Sequence, residues 1–244
     1  MPSRTATLAG FSTSLYSSST LVSPSVGIAT ASDDTTIQTI GKGPGGVATN
    51  TVFGYQALNS NTTGSGNIAI GYQAGQSNTI GVYNTFIGSF AGQCNTTGTR
   101  NIFIGSLVGQ ANTIGSNNTF LGRTAGRCNT AGNHNFFVGN SAGAANTSGS
   151  YNNFFGIGAG LCNTTGSCNN FFGNYTGREN TTGNNNNFIG FCAGRLNTFG
   201  CFNNFFGLCA GYNNTTGNNN NFIGQCAGYS NTFGKYNNFF GPLQ

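Results

Sequence analysis

The residues that most often carry out chemistry are scarce in this chain. Its 244 residues include one histidine, His134, and three acidic residues, Asp33, Asp34 and Glu179. Adjacent side chains in an extended segment point in opposite directions, so Asp33 and Asp34 do not make an acid–base pair. Residues 42–46, Lys-Gly-Pro-Gly-Gly, are glycine-rich but lack the spacing of a phosphate-binding loop. We therefore expect no catalytic residue, no cofactor and a protein that is not an enzyme.

The eight cysteines are the remaining candidates for bond formation. Six of them recur at multiples of seventeen residues: Cys94, Cys128 and Cys162, then Cys192, Cys209 and Cys226. No Cys-x-x-Cys pair and no second histidine is present, so no metal site is expected. In a reducing compartment such cysteines are small buried apolar residues with free thiols. Disulfides between cysteines one repeat apart are the alternative.

Basic residues outnumber acidic ones, and the net charge is +5. The eight lysines and arginines are scattered and form no run: Arg4, Lys42, Arg100, Arg123, Arg127, Arg178, Arg195 and Lys235. A nucleic-acid site needs cations clustered on one face or groove, so we expect no nucleic-acid partner. No stretch approaches the roughly 18 apolar residues of a membrane helix, so no membrane insertion is expected either.

A unit of seventeen residues repeats through most of the chain, from Asn50 to Gly241. We number the places in each unit from its opening asparagine, which is Asn61 in the first complete unit. Six places never vary among the complete units: asparagine at one and seven, threonine at two, and glycine at four, eleven and fifteen. Each unit therefore needs the same backbone turns at the same places.

A seventeen-residue unit cannot bury a core alone, so the units must stack on one another. Parallel stacking places each residue type above itself at about 4.8 Å, which suits ladders of hydrogen-bonded asparagine amides. We expect such a ladder at place seven, represented by Asn67, Asn84 and Asn101. The sequence predicts an all-β protein: over residues 48–244, a parallel β-solenoid (β-roll) of about eleven coils, each made of two short extended segments and tight turns.

Places nine and ten carry two adjacent large apolar residues in nearly every unit. Because neighbouring residues of a strand point to opposite faces, one fills the coil and the other faces outward. The predicted core residues include Phe86, Phe103, Phe120, Phe188, Phe205 and Phe222. The outward residues form an apolar stripe larger than a soluble monomer usually exposes. We expect a closed cyclic assembly to bury this stripe, and predict a homotrimer.

The motif Asn-x-Phe-Ile-Gly-x-x-Ala-Gly, as in Asn84–Gly92 and Asn186–Gly194, resembles the head repeats of trimeric autotransporter adhesins. Those heads carry an Ala-Ile-Gly-x-x-Ala core, and Asn67–Gly71 is the closest match to it. The resemblance implies a trimer of single-chain β-rolls. The unit here is longer than the adhesin unit, and no signal peptide, stalk or anchor is evident, so a cell-surface adhesin is kept as an alternative.

The runs Ala57–Gly64 and Asn67–Gly71 are also similar to repeats in fibre and appendage proteins of bacteriophages, particularly marine and cyanobacterial phages. This resemblance implies a structural virion protein: a fibre, spike or decoration that serves in adhesion to host-surface glycans. Residues 1–22 lack the continuous apolar core of a signal peptide, which agrees with assembly in the host cytoplasm. Residues 1–47 are then expected to attach the rod to other virion proteins.

A different class of function stays open on the sequence alone, namely ice binding by a monomeric solenoid. The place-two threonines, from Thr62 to Thr232, predict a regular column of hydroxyl groups along one side of the rod. A third possibility is a fibre that binds a host receptor or glycan. Aromatic residues at the turns, Tyr83, Tyr151, Phe202 and Tyr236, are suited to stacking on sugars.

Overall fold

The computed structural model describes residues 25–28, 38–41, 47 and 49–241. These residues form fourteen short strands and no helix that could span a membrane. The strands are β1 (Ser25–Ile28), β2 (Gln38–Gly41), β3 (Thr51–Gly54), β4 (Ile68–Ile70), β5 (Thr85–Ile87), β6 (Ile102–Ile104), β7 (Thr119–Leu121), β8 (Phe136–Val138), β9 (Asn153–Phe155), β10 (Asn170–Phe172), β11 (Asn187–Ile189), β12 (Asn204–Phe206), β13 (Asn221–Ile223) and β14 (Asn238–Phe240).

All fourteen strands belong to one sheet in which sequence order and spatial order are the same. Strands β3 to β14 are parallel, and each residue pairs with its equivalent one unit later, as Phe205 pairs with Phe222. The chain is therefore an all-β parallel solenoid of about eleven turns with seventeen residues per turn. This confirms the fold that the repeat predicts.

The N-terminal part of the sheet differs from the rest. Strands β1 and β2 pair in antiparallel fashion, and β2 pairs with β3 in the same way. The two strands thus extend the solenoid sheet beyond its first parallel strand. The predicted attachment segment is residues 1–47. Apart from β1, β2 and Val47 it lies outside the described residues, as do Asp33, Asp34 and the glycine-rich residues 42–46.

Each strand from β4 onward occupies places eight to ten and is followed directly by the glycine of place eleven. These glycines have φ between 117° and 141°, a region that other residues rarely adopt. A Cβ at Gly122 would lie 2.6 Å from the carbonyl oxygen of Gly139 in the next turn. Glycine is required here both for the turn and for the close approach of two backbones.

The prediction of two extended segments per unit is wrong, because each turn has a single strand. Places twelve to seventeen form a chain of tight turns. Places thirteen and fifteen are left-handed, as in Cys192 (φ 56°) and Gly194 (φ 57°). Two left-handed residues so close together curl the chain back toward the strand instead of letting it extend.

The core is a single file of phenylalanine rings. Every place-nine phenylalanine from Phe86 to Phe222 is fully buried. From Phe103 onward the stacked rings lie 4.6–4.9 Å apart with their planes within 9° of parallel. The glycine at place fifteen packs against this file, since a Cβ at Gly109 would lie 2.6 Å from the ring of Phe103. The repeat thus builds one narrow core that runs the length of the rod.

Candidate interaction surfaces

The described residues contain no group of three or more His, Cys, Asp or Glu side chains placed to hold a metal ion. His134 lies at place six, where its ring stacks on Tyr151 with centroids 4.9 Å apart. A shallow hollow of about 290 Å³ opens beside Ala144 and Ala145, where these small side chains leave a gap between Arg127 and Leu161. What the rod offers is therefore its surfaces, and we describe each from the residues that form it.

The place-seven asparagines form a buried hydrogen-bonded ladder, as the sequence predicts for this place. The backbone N–H of Asn152 donates to Oδ1 of Asn135 at 3.0 Å, and its Nδ2 donates to the carbonyl oxygen of Gly166 at 2.8 Å. The Oδ1 of Asn152 accepts the backbone N–H of Asn169 at 3.0 Å. Asn67, Asn84 and Asn101 make the same three bonds.

A second buried ladder runs along place one, which the sequence reasoning did not single out. The Nδ2 of Asn146 donates both to Oδ1 of Asn129 at 2.7 Å and to the carbonyl oxygen of Gly149 at 3.0 Å. The signal was present in the sequence, because place one is as invariant within the chain as place seven. Both ladders satisfy polar groups inside the coil, where an unpaired amide would cost about 1–3 kcal/mol.

The outer face of the sheet consists of places eight and ten of strands β4 to β14. Place ten is apolar in every turn: Ile70, Ile87, Ile104, Leu121, Val138, Phe155, Phe172, Ile189, Phe206, Ile223 and Phe240. These side chains are intermediate to exposed, with Ile189 at 44% and Ile223 at 43%. Neither place carries a charged residue in any of these strands. An uncharged apolar column therefore follows the whole sheet.

Place eight changes character along the rod. In the first half it is isoleucine, threonine or phenylalanine, as at Ile68 and Phe136. From Asn153 to Asn238 it is always asparagine, and each Nδ2 donates to the next Oδ1 at 2.7–2.8 Å. The bonds run from turn to turn along the rod, so these amides are paired with one another.

The place-two threonines also use their hydroxyl groups inside the chain. Each Oγ1 donates to the carbonyl oxygen of the next place-two threonine, as Thr113 does to Thr130 at 3.0 Å. The same bond recurs from Thr62 to Thr215. The hydroxyl hydrogens of this column are therefore directed at the neighbouring turn.

All eight cysteines have free thiols, but only Cys192 is buried, so the expectation of buried cysteines is wrong for the other seven. Burial raises the pKa of the Cys192 thiol. Burial also raises the pKa of Cys209, and its neighbours Cys192 and Cys226 raise it further. The pKa of Cys162 is raised by burial and by its hydrogen bond to Glu179, at 3.3 Å. Raised pKa values reduce the thiolate fraction, so the thiols of Cys162, Cys192 and Cys209 are poor nucleophiles at neutral pH.

Comparison with protein-family models, with curated proteins and with solved structures found no match to this chain. Its surfaces and their chemistry are therefore the basis for inferring its function.

Proposed function

We propose that this chain is a structural virion protein, a fibre, spike or decoration, whose rods associate side by side as a homotrimer. The observation that carries the proposal is the outer face of the sheet, with its unbroken apolar column and its lack of charge. Such a surface is more extensive than the few hundred Å² of apolar patch that a soluble monomer usually exposes. A partner of the same sequence is the simplest way to cover it.

The regular spacing of the column favours association of identical rods in the same direction. Every turn presents one place-ten side chain, and these side chains follow one another along the axis at intervals of about 4.8 Å. Rotation about an axis parallel to the rod brings equivalent side chains together at every level. Three copies enclose their columns around one axis and leave the turn regions outside.

The assignment to a virus particle rests on the similarity of the repeats to bacteriophage fibre and appendage proteins. In this proposal the N-terminal residues 1–47 bind other virion proteins, assembly takes place in the host cytoplasm, and the outer turns contact the host surface. Mass spectrometry of purified particles from an infected culture that carries this gene is expected to detect the chain. Its absence from intact particles would remove the virion assignment.

Ice binding through the threonine column is not proposed. A column that orders ice needs hydroxyl groups free to bond to water, whereas the place-two hydroxyls donate to backbone carbonyl oxygens of the next turn. The same bonds explain why this place always carries a hydroxyl residue, since serine or threonine is needed to make them.

Self-association is tested by light scattering on the native chain in reducing buffer. We expect about three times the chain mass of 25.1 kDa. Ile189→Asp places a charge in the apolar column and is expected to yield single chains, because burying an unpaired charge is costly. The matched control is Ile114→Asp, since Ile114 is 57% exposed at place three, away from the outer face. A wild-type mass of one chain would contradict the proposal.

A further inference from the structure

The corner of the coil around the place-four glycine carries a second set of exposed side chains, at places three and six. Both places vary from turn to turn, and neither contributes to the core. Two turns near the C-terminal end have aromatic residues at both places. One carries Phe199 and Phe202, and the other, two turns later, carries Phe233 and Tyr236.

These four rings are among the more exposed apolar side chains of the rod. The exposed fractions are 58% for Phe199, 56% for Phe202, 69% for Phe233 and 75% for Tyr236. The turn between the two aromatic pairs has small polar residues instead, Thr216 at place three and Asn219 at place six. The arrangement is a slot with aromatic walls and a polar floor.

The orientation of the walls follows from the backbone. Phe202, Asn219 and Tyr236 have φ of 58°, 57° and 60°, so they leave the coil in the same direction. Where two rings occupy place six in successive turns, at His134 and Tyr151, they lie parallel within 3° and 4.9 Å apart. We infer the same orientation for Phe202 and Tyr236, which share this place and its left-handed φ, so that the two walls of the slot face each other.

The width of the slot selects what it can hold. Core rings of the same three turns are 4.8 and 4.9 Å apart, so Phe202 and Tyr236 are separated by about 9.7 Å. Carbon contacts of about 3.8 Å on each side leave roughly 2 Å for the thickness of an inserted group. A flat ligand such as a nucleobase would leave this width of roughly 2 Å unfilled. A puckered sugar ring with its axial substituents has about this thickness and presents C–H groups to both walls.

The polar groups at the slot also suit a sugar. Within the described part of the chain, no hydrogen bond is made by the Thr216 hydroxyl or the Asn219 side-chain amide, although both are accessible. They offer donors and acceptors to sugar hydroxyls. Lys235 lies in the same turn as Tyr236, and no repeat has an acidic residue at places three to six. An acidic sugar would therefore not be repelled.

We propose that Phe202 and Tyr236, with Asn219 between them and Phe199 and Phe233 alongside, bind one pyranose unit of a surface polysaccharide. The inference rests on the adhesive part of the proposed function and names its ligand class and its site. It needs no contribution from the outer face of the sheet, which lies at places eight and ten. Binding and self-association can therefore be measured separately.

The test is binding of the full-length chain to an array of defined immobilised saccharides, followed by titration with the best soluble oligosaccharide. Loss of one aromatic wall, as in Tyr236→Ala, is expected to weaken binding about tenfold. Asn219→Phe fills the slot with a third stacked ring and is expected to abolish binding, although it adds an aromatic residue. The fold should tolerate this change, because Phe202 occupies the same place with the same φ.

Tyr83→Ala is the matched control. Tyr83 is also at place six and is 61% exposed, but the residues two turns away are Thr49 and Asn117, so it faces no second wall. Binding should be unchanged in this variant. Undiminished binding by Asn219→Phe, or no saccharide bound by the wild-type chain, would overturn the proposal. A monomer that binds through the slot would refute the trimer and leave the site standing, and a trimer that binds no saccharide would do the reverse.

Discussion

Two neighbouring phenylalanines in strand β12 show how the repeat assigns different tasks to similar residues. Phe205 is fully buried and stacks between Phe188 at 4.6 Å and Phe222 at 4.8 Å. Phe206 follows it directly, points the other way and is only partly covered. The side chains are identical, so a difference in their effects must come from position alone.

We predict that Phe205→Ala lowers the free energy of unfolding by about 3–5 kcal/mol, because it leaves a cavity and removes two stacking contacts. Phe206→Ala should lower it by less than about 1 kcal/mol but weaken self-association. Urea unfolding and light scattering of both variants separate the two effects. Equal loss of stability in the two variants would refute the division into an inner and an outer column.

At the residue scale the sequence predicts many of the inward-facing residues, because a polar residue that recurs at the same place in every unit indicates a buried polar group. It identified the asparagine ladder of Asn67, Asn84 and Asn101, and the inward phenylalanines followed from strand alternation. The binding slot was only partly visible. Phe202 and Tyr236 were recognised as exposed aromatic residues, but that they face each other depends on the φ of place six and on the height of each turn.

At the scale of the single turn, the shape of the coil depends on where the backbone becomes left-handed. The glycine at place eleven signals such a turn in the sequence, whereas place thirteen does not. It carries glutamine, phenylalanine, leucine, threonine, serine, tyrosine or cysteine, and glycine only at Gly158, with φ between 53° and 61°. A bond from the previous turn holds each residue, as Cys209 N–H donates to the carbonyl oxygen of Phe191 at 2.9 Å. Neighbouring turns thus override a local preference of about 1–2 kcal/mol, and the sequence prediction of a second extended segment failed for this reason.

The two kinds of left-handed position can be told apart by adding one methyl group. Gly122→Ala is expected to destabilise the rod by several kcal/mol, since its Cβ would lie 2.6 Å from the carbonyl oxygen of Gly139. Gly158→Ala also has positive φ (61°), but its Cβ would meet only the movable ring of Tyr175 at 3.1 Å. Because other residues occupy place thirteen in the remaining turns, we expect a change in melting temperature of a few degrees at most. Similar melting temperatures for the two variants would contradict this account.

At the scale of the whole molecule, each strand of the described residues contacts only the strand before it and the strand after it. The register between strands is seventeen residues throughout the parallel sheet. In a rod of this kind no contact beyond the neighbouring turn fixes the number of turns. Its stability is close to a sum over the turns and the interfaces between them.

Removing one whole unit should therefore leave a folded rod. Deletion of residues 146–162 joins place seventeen of one unit to place one of another and is expected to shorten the rod by about 4.8 Å. Its melting temperature should change by only a few degrees. Deletion of residues 146–153 removes eight residues, breaks the register and exposes inward side chains. Small-angle scattering and circular dichroism would show whether the first variant folds and the second does not.

The hydrogen bonds between turns run along the rod, from one strand to the next, and this orientation governs how the molecule responds to force. Tension between the two ends loads a single terminal turn at a time, so its bonds open one after another instead of shearing together. Each turn that peels away releases seventeen residues. These residues occupied 4.8 Å along the rod, and when extended they lengthen the molecule by about 55 Å. A single rod under load would lengthen in equal steps at low force and rewind in register when the load is removed. Lateral association would set the force at which the first step occurs.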